Sequence, residues 1–237
     1  MNGPKCYSSL GIRLLPIVAL AVLFVVAASA SAAPVPWTTP SGSNARFAWS
    51  DGQSDDGGLG EGGLWGDPVI TVEGFFFDDI NPLFRAEAPD ADNIVSAMSV
   101  NLSTLGADPI PADALTELHI TEWGTYTGIW EEVAASSGTV LLIPISPSGP
   151  PTNLGQLTMT HDPDTLSWIA YMDIYFDQIG GGFPSAVNIL GLDVTNHLIA
   201  TGTSTIQKTG AKVIVPEPTT VILVLCGLIP IVSRRRR

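Results

Sequence analysis

The chain is almost devoid of cysteine. Its 237 residues include two, Cys6 and Cys226, one near each end. The residues between them cannot be held together by disulfide bonds, and a cysteine-based zinc site or a cysteine nucleophile is excluded there. A domain of this kind must depend on its own hydrophobic core, and the stretch 34–216 is long enough to bury one.

Basic residues are also scarce. Residues 34–216 contain four of them, Arg46, Arg85, Lys208 and Lys212, against 22 acidic residues, a net charge of −18. Such a field repels phosphate backbones and anionic lipid headgroups, so we expect no nucleic-acid partner and no docking on an acidic membrane surface. A hydrophobic content of 45% excludes a disordered chain.

The first segment has the three parts of a secretory signal peptide. Two basic residues precede an apolar run at 14–28, and small residues follow it. This pattern predicts a signal helix within residues 1–32 that signal peptidase removes. Cleavage after Ala30 or after Ala32 would leave small side chains next to the cut. The alternative is an uncleaved membrane anchor at the N-terminus.

The last segment, residues 216–237, also has three parts. Pro216, Glu217 and Pro218 precede an apolar segment at 221–232, and the chain closes with Arg234, Arg235, Arg236 and Arg237. As a helix the apolar segment would cover about 18 Å, less than the ~30 Å of bilayer hydrocarbon. The arginines would hold the end on the cytoplasmic side. We therefore predict a short hydrophobic helix that serves as a transient transmembrane segment in the inner membrane, and then as a removable sorting tag.

This tail resembles the PEP-CTERM sorting signal in its motif, its spacing and its basic stop. The resemblance implies processing by an exosortase, a membrane cysteine transpeptidase of Gram-negative bacteria. It implies delivery to the cell surface or to an extracellular exopolysaccharide matrix. The alternative is an ordinary single-span anchor with a chance Pro-Glu-Pro sequence.

Apolar and polar residues alternate with period 2 between the two ends, which indicates strands with one buried face. No stretch has the pattern of an amphipathic helix. We expect an all-β domain at 45–215, an antiparallel β-sandwich of jelly-roll type, after a loose lead-in at 33–44. The expected strands are 46–50, 68–77, 93–103, 115–123, 139–145, 155–161, 168–177, 186–195, 198–204 and 211–215. Residues 118–126 and 198–218 resemble exported β-sandwich proteins with the same tail, which favours the same fold.

Two dipeptides between expected strands have turn composition. Asn196-His197 and Thr209-Gly210 are predicted to form turns, because Asn and Gly favour the conformations that turns require.

A glycine-rich acidic segment at 51–67 is predicted to be a loop. Its side chains Asp51, Asp55, Asp56, Glu61 and Asp67 offer the oxygen ligands that Ca²⁺ prefers on a flexible backbone. The EF-hand spacing is not met. The segment is therefore either a calcium site or a solvated loop, and we expect no other cofactor.

One strand offers a face suited to sugars. In residues 168–177 the alternation sets Tyr171, Asp173, Tyr175 and Asp177 on the polar side. Aromatic faces stack on sugar rings and carboxylates bond to hydroxyls, so this stripe is a candidate glycan site. Trp123, Tyr126 and Trp130 form a second candidate platform. The alternative is that these aromatics lie half-buried at the rim of the sandwich.

Catalytic motifs are missing from the sequence. It has no G-x-S-x-G, H-x-H or H-E-x-x-H pattern, and its three histidines are far apart. We therefore expect a structural or adhesive protein and not an enzyme. The alternative is a secreted carbohydrate-binding module or a carbohydrate-active enzyme.

Overall fold

The computed structural model describes residues 32–60, 62–89, 93–105, 114–136 and 139–216. The expected signal helix with Ala30 lies outside these ranges, as does the expected C-terminal helix with Glu217, Pro218, Arg234, Arg235, Arg236 and Arg237. The candidate calcium ligand Glu61 also lies outside them. Within the described ranges no helix is long and apolar enough to cross a membrane.

The described residues form strands and two short 3₁₀ turns, at Trp130–Glu132 and Phe176–Gln178, and no α-helix. The strands are β1 (Pro34–Pro36), β2 (Gly42–Ser43), β3 (Phe47–Asp55), β4 (Val69–Ile70), β5 (Gly74–Phe77), β6 (Arg85–Glu87), β7 (Asn93–Thr104), β8 (Glu117–Thr127), β9 (Val133–Ser136), β10 (Val140–Ser146), β11 (Thr152–Asn153), β12 (Thr158–Asp162), β13 (Ser167–Tyr175), β14 (Ile189–Ala200) and β15 (Thr205–Ile214).

The strands belong to two sheets. Sheet A has the order β1-β3-β7-β14-β10-β11, and β2 and β9 pair with β3 and β14. Sheet B has the order β12-β13-β8-β15-β5-β4, and β6 pairs with β15. The pairings in both sheets are antiparallel; examples are β1 with β3 in sheet A and β12 with β13 in sheet B. The prediction of an all-β domain with two antiparallel sheets is confirmed, and the arrangement is that of a β-sandwich.

One core lies between the sheets. The even positions of β7 from Ile94 to Leu102 are buried, as the alternation predicts. Aromatic rings fill one end of this core: Phe75 lies 5.5 Å from Trp37 and 5.5 Å from Phe47, measured between ring centroids. Burying a side chain of this size contributes about 1.5–3 kcal/mol, so the ring cluster is a large part of what holds the sheets together.

Several expected boundaries are wrong near the N-terminal end. Residues 33–44 are not a loose lead-in, since β1 and β2 both pair with β3. Strand β3 continues to Asp55, into the segment predicted to be a loop, because a bulge between Ser50 and Gln53 absorbs the local bend. The expected strand 68–77 is divided into β4 and β5, which pair with each other.

Both predicted turns near the C-terminal end are wrong as well. Asn196 and His197 lie inside β14, where they pair with Ser96 and Val95 of β7. Thr209 and Gly210 lie inside β15, at a bulge in its pairing with β8. In both places the long-range ladder overrides the local turn preference, because the flanking apolar residues are buried on a common face.

Candidate functional site

The sheet ends next to the predicted sorting motif. Strand β15 ends at Ile214, and Val215 is buried, with its N–H donating to the Glu73 carbonyl at 2.8 Å. Pro216 follows directly and is the part of the motif that the structure describes. Among the described residues, Val215 is the last one buried in the core.

The predicted signal cleavage point also borders the fold. The N–H of Ala33, the residue after Ala32, donates to Asp56 Oδ1 at 2.9 Å, and the Ala33 carbonyl accepts the Asp56 N–H at 3.2 Å. Ala33 is thus hydrogen-bonded to Asp56, the residue that follows β3.

Two of the candidate calcium ligands use their carboxylate oxygens to accept backbone N–H groups. Asp55 accepts the N–H groups of Gly57 at 3.1 Å and Ala97 at 2.9 Å. Asp56 accepts the N–H of Gly58 at 2.9 Å. The Gly58 hydrogen bond is the main reason that the pKa of the Asp56 carboxyl is lowered, with burial acting in the opposite direction. These carboxylates brace the turn at 56–60 against sheet A.

The other two described candidates also have partners. Asp51 accepts the side-chain amide of Asn101 at 2.8 Å, and Asp67 accepts the Thr38 N–H at 2.6 Å. Across the described ranges no three His, Cys, Asp or Glu side chains are grouped as a metal site. Four of the five candidates therefore have structural contacts that account for them, and calcium binding stays a prediction.

The candidate glycan stripe lies on the outer face of sheet B. Tyr171 and Tyr175 are 44% and 39% exposed. Between them Asp173 Oδ1 lies 2.6 Å from His119 Nδ1 of the neighbouring strand, and the His119 ring meets Tyr175 edge to face. Asp177 is not part of this row, because β13 ends at Tyr175 and Asp177 belongs to the following 3₁₀ turn.

The second aromatic platform is not assembled. Trp123 and Tyr126 lie on opposite faces of β8, because their positions differ by an odd number. Tyr126 is buried, and its ring lies 4.9 Å from that of Trp130. The Trp130 ring in turn stacks on His161 at 4.2 Å. Trp130 therefore packs against the edge of the hydrophobic core.

The most unusual constellation is one that the sequence reasoning missed. Three polar side chains meet inside the core: Glu122 of β8, Asn196 of β14 and Lys208 of β15, which are at most 1% exposed. Glu122 and Lys208 come from sheet B and Asn196 from sheet A. We call these three residues the buried triad.

Each member of the buried triad contacts the other two. Lys208 Nζ donates to Asn196 Oδ1 and lies 3.2 Å from Glu122 Oε1. Asn196 Nδ2 donates to Glu122 Oε2 at 2.8 Å. The carboxylate therefore spans the amine of the lysine and the amide nitrogen of the asparagine, with one oxygen toward each.

Strand geometry explains how these residues reach the core. Glu122 continues the inward row of Leu118 and Ile120 on β8, and Asn196 lies between the buried Val194 and Leu198 on β14. This periodicity was the available signal, since both residues occupy even positions among buried apolar neighbours.

The burial of Lys208 depends in addition on a β-bulge in β15. Lys208 is buried ahead of the bulge, and Ala211 and Val213 are buried after it. The extra residue at Thr209 shifts the alternation by one, so that both parts of β15 face the core.

Aromatic rings enclose the amine of Lys208. Its Nζ lies 3.1 Å from the ring centroid of Trp65 and 5.5 Å from that of Phe84, and both rings are buried. Burial lowers the pKa of Lys208 to about 7, and the charge of Glu122 offsets that effect only in part. Burial therefore favours the neutral amine, while Glu122 favours the charged form.

No family model, curated protein or solved structure matches this chain.

Proposed function

We propose that this chain is an exported structural or adhesive protein, and not an enzyme, with a β-sandwich domain of jelly-roll type. Signal peptidase removes residues 1–32, and an exosortase processes residues 216–237 at the inner membrane. The domain is then delivered to the cell surface or to the extracellular polysaccharide matrix of a Gram-negative bacterium.

The observation that carries this proposal is the boundary at Val215. Within the described residues, the last buried core residue and the last backbone hydrogen bond of the sheet come one position before Pro216. A cut after Pro216 would therefore remove no described strand and no described core residue, which supports a removable sorting signal. The stretch between the ends also has the charge of a protein that repels nucleic acid and stays soluble.

The contact at Ala33 favours the later of the two signal cleavage points. A cut after Ala32 would turn the Ala33 amide into an ammonium group beside Asp56 Oδ1, where the hydrogen bond already exists. A charged donor strengthens a bond to a carboxylate. We therefore place the mature N-terminus at Ala33.

Mass spectrometry of the mature protein tests the proposal. In a Gram-negative host that carries an exosortase, we expect surface-exposed protein that begins at Ala33 and lacks Arg234 to Arg237. The Glu217→Ala variant should keep its tail and accumulate in the inner membrane, while the control Glu131→Ala, an exposed glutamate in the domain, should be sorted normally. Recovery of the wild type with Met1 and its arginines from the cytosol would contradict the proposal.

A second candidate function is binding of exopolysaccharide by the outer face of sheet B. It is favoured by the exposure of Tyr171 and Tyr175 on either side of the Asp173–His119 pair. The two tyrosines are about 13 Å apart along the strand, so one glycan chain could contact both. This surface suits adhesion to a matrix, or a carbohydrate-binding module.

Calorimetric titration with purified exopolysaccharide tests this candidate. Replacing both tyrosines by alanine should weaken binding by about tenfold or more, because two stacking faces are lost. The control is Ile169→Ala, which removes an equally exposed side chain from the same strand face and should leave binding nearly unchanged. If the wild type binds no polysaccharide at millimolar concentration, this function is excluded.

A further inference from the structure

We propose that the buried triad forms a covalent cross-link: an amide bond between the side chains of Lys208 and Asn196, made within the folded chain, with Glu122 as the catalytic residue. The bond would join sheet B to sheet A through the core. It requires no enzyme, cofactor or oxidant.

The nucleophile and the electrophile are already in contact. Lys208 Nζ bonds to Asn196 Oδ1, which places the amine beside the carboxamide carbon that carries that oxygen. Holding reactants in this way converts a slow bimolecular aminolysis into an intramolecular step, with effective molarities of about 10⁵ M or more. Antiparallel ladders on both strands hold the two backbones in place.

The carboxyl group of Glu122 is placed to carry protons between the two nitrogens. Oε1 lies 3.2 Å from the nitrogen that must lose a proton, and Oε2 lies 2.8 Å from the nitrogen that must gain one. Oε1 accepts no hydrogen bond of good geometry within the described residues. A general acid–base group must lie within hydrogen-bond reach of both atoms, and Glu122 meets that condition.

The surroundings favour attack. Burial among Trp65 and Phe84 lowers the pKa of Lys208 to about 7, so the neutral amine that can attack is available. Because the site is closed to solvent, water does not compete with the amine for the carboxamide carbon.

The reaction balances without any further reagent. A proton passes from the ammonium of Lys208 to Glu122, and the neutral amine attacks Cγ of Asn196 to form the C–N bond. As the tetrahedral intermediate collapses, the bond from Cγ to Nδ2 breaks. Glu122 gives the proton that it took from Lys208 to Nδ2, which leaves as ammonia, and the carboxylate that forms again takes the surplus proton from Nζ. The products are a secondary amide and one molecule of ammonia.

The product also relieves an energetic burden. A buried ion pair carries a desolvation penalty of several kcal/mol per ion, which its mutual attraction repays only in part. The amide replaces the ammonium with a neutral N–H, and Glu122 remains protonated as a hydrogen-bonding partner. The cross-linked core therefore contains no charged group of the triad.

Mass spectrometry of the purified full chain tests the proposal. The wild type should be lighter than its sequence, for the termini it carries, by the mass of one ammonia molecule. Glu122→Gln should keep the complete mass, because the proton carrier is lost while the amine and the carboxamide remain. The matched control is Glu117→Gln on the outer side of the same strand, which should show the same deficit as the wild type. In Asn196→Asp the leaving group becomes water, and the deficit should be that of water.

Peptide mapping separates the cross-link from cyclisation of an asparagine to a succinimide, which also releases ammonia. Chymotrypsin cuts after Leu198 and so separates the two residues along the chain. A branched peptide that joins the segments around Asn196 and Lys208 supports the proposal, and a linear peptide with a modified Asn196 overturns it.

The wild type alone can decide the matter if Glu122→Gln fails to fold. Folded wild-type protein whose map contains separate, unmodified peptides for Asn196 and Lys208 overturns the proposal. Where the variant does fold, its melting temperature should be about 5–10 °C below that of the wild type, as expected for loss of a cross-link that closes a short loop.

Discussion

At the scale of single residues, Lys208 is the feature that most needs an energetic account. A lysine side chain is almost never fully buried unless it is paired, and this one is paired with a carboxylate and a carboxamide under two aromatic rings. Removing one partner of such a group leaves an uncompensated polar atom, at a cost of about 3–5 kcal/mol. The triad therefore acts as one unit, and substitutions within it are not additive.

The pH dependence of stability distinguishes a free Lys208 from a cross-linked one. In Glu122→Gln the amine is free, and its pKa in the folded state lies far below the ordinary value near 10.4. Between about pH 7 and pH 10 the unfolded chain binds the additional proton, so the free energy of unfolding should rise by about 1.4 kcal/mol per pH unit. The other groups around the amine, Asn196, Trp65 and Phe84, do not titrate in this range.

Melting temperatures measured at pH 7, 8, 9 and 10 check this prediction. The variant should gain stability relative to the wild type across the series, because the titrating groups other than Lys208 and residue 122 are common to both proteins. Parallel curves would show that Lys208 is in the same chemical state in both.

At the scale of elements, β15 depends on close approach to its neighbour β5. Gly74 opens β5 with a φ of 149°, and a Cβ at that position would overlap the Val213 carbonyl oxygen and crowd the Ile214 backbone. Gly74→Ala should therefore destabilise the domain by about 3 kcal/mol or more, since backbone cannot move aside as a side chain can.

Thermal unfolding checks this prediction against a matched glycine. Gly181 also has a positive φ, but no atom lies within 4 Å of the place where its Cβ would be. Gly181→Ala should lower the free energy of unfolding by only about 1–2 kcal/mol, which is the cost of a left-handed conformation for a residue with a Cβ. Equal losses in the two variants would mean that the contact with Val213 is unimportant.

The strands that the sequence predicts correctly are those with one buried face and one solvent-exposed face. Alternation in β7 and β13 indicates their type and their inward residues, because burial on one face is recorded at every second position. Alternation fails at bulges. The extra residue at Thr209 in β15 breaks the period, and its neighbour Gly210 has the composition of a turn.

At the scale of the whole molecule, the two-sheet fold was predictable and the buried triad was not. Glu122 and Asn196 are 74 positions apart, and they belong to opposite sheets. Their meeting depends on which strands face each other across the core, which local patterns do not specify. In contrast, Tyr171 and Tyr175 could be placed on one outer surface from their spacing in a single strand, and Asp177 was lost from that row because the strand ended first.

The burial of one basic residue makes the surface of the domain more acidic. Of the four basic residues between the ends, Lys208 is withdrawn into the core, so the surface is more uniformly acidic than the composition alone implies. Like charges of this density keep copies of the domain apart in solution.

The position of β15 decides how the domain responds to tension. If the proposed processing leaves the domain anchored at its C-terminal end, a pull reaches the described fold at Val215 and passes through β15, which is flanked by β8 on one side and by β5 and β6 on the other. Force directed along an interior strand must shear many backbone hydrogen bonds at once, whereas an edge strand would peel away one bond at a time. The force that an anchor at this end can withstand would therefore be set by the backbone hydrogen bonds that β15 forms with its neighbours in sheet B.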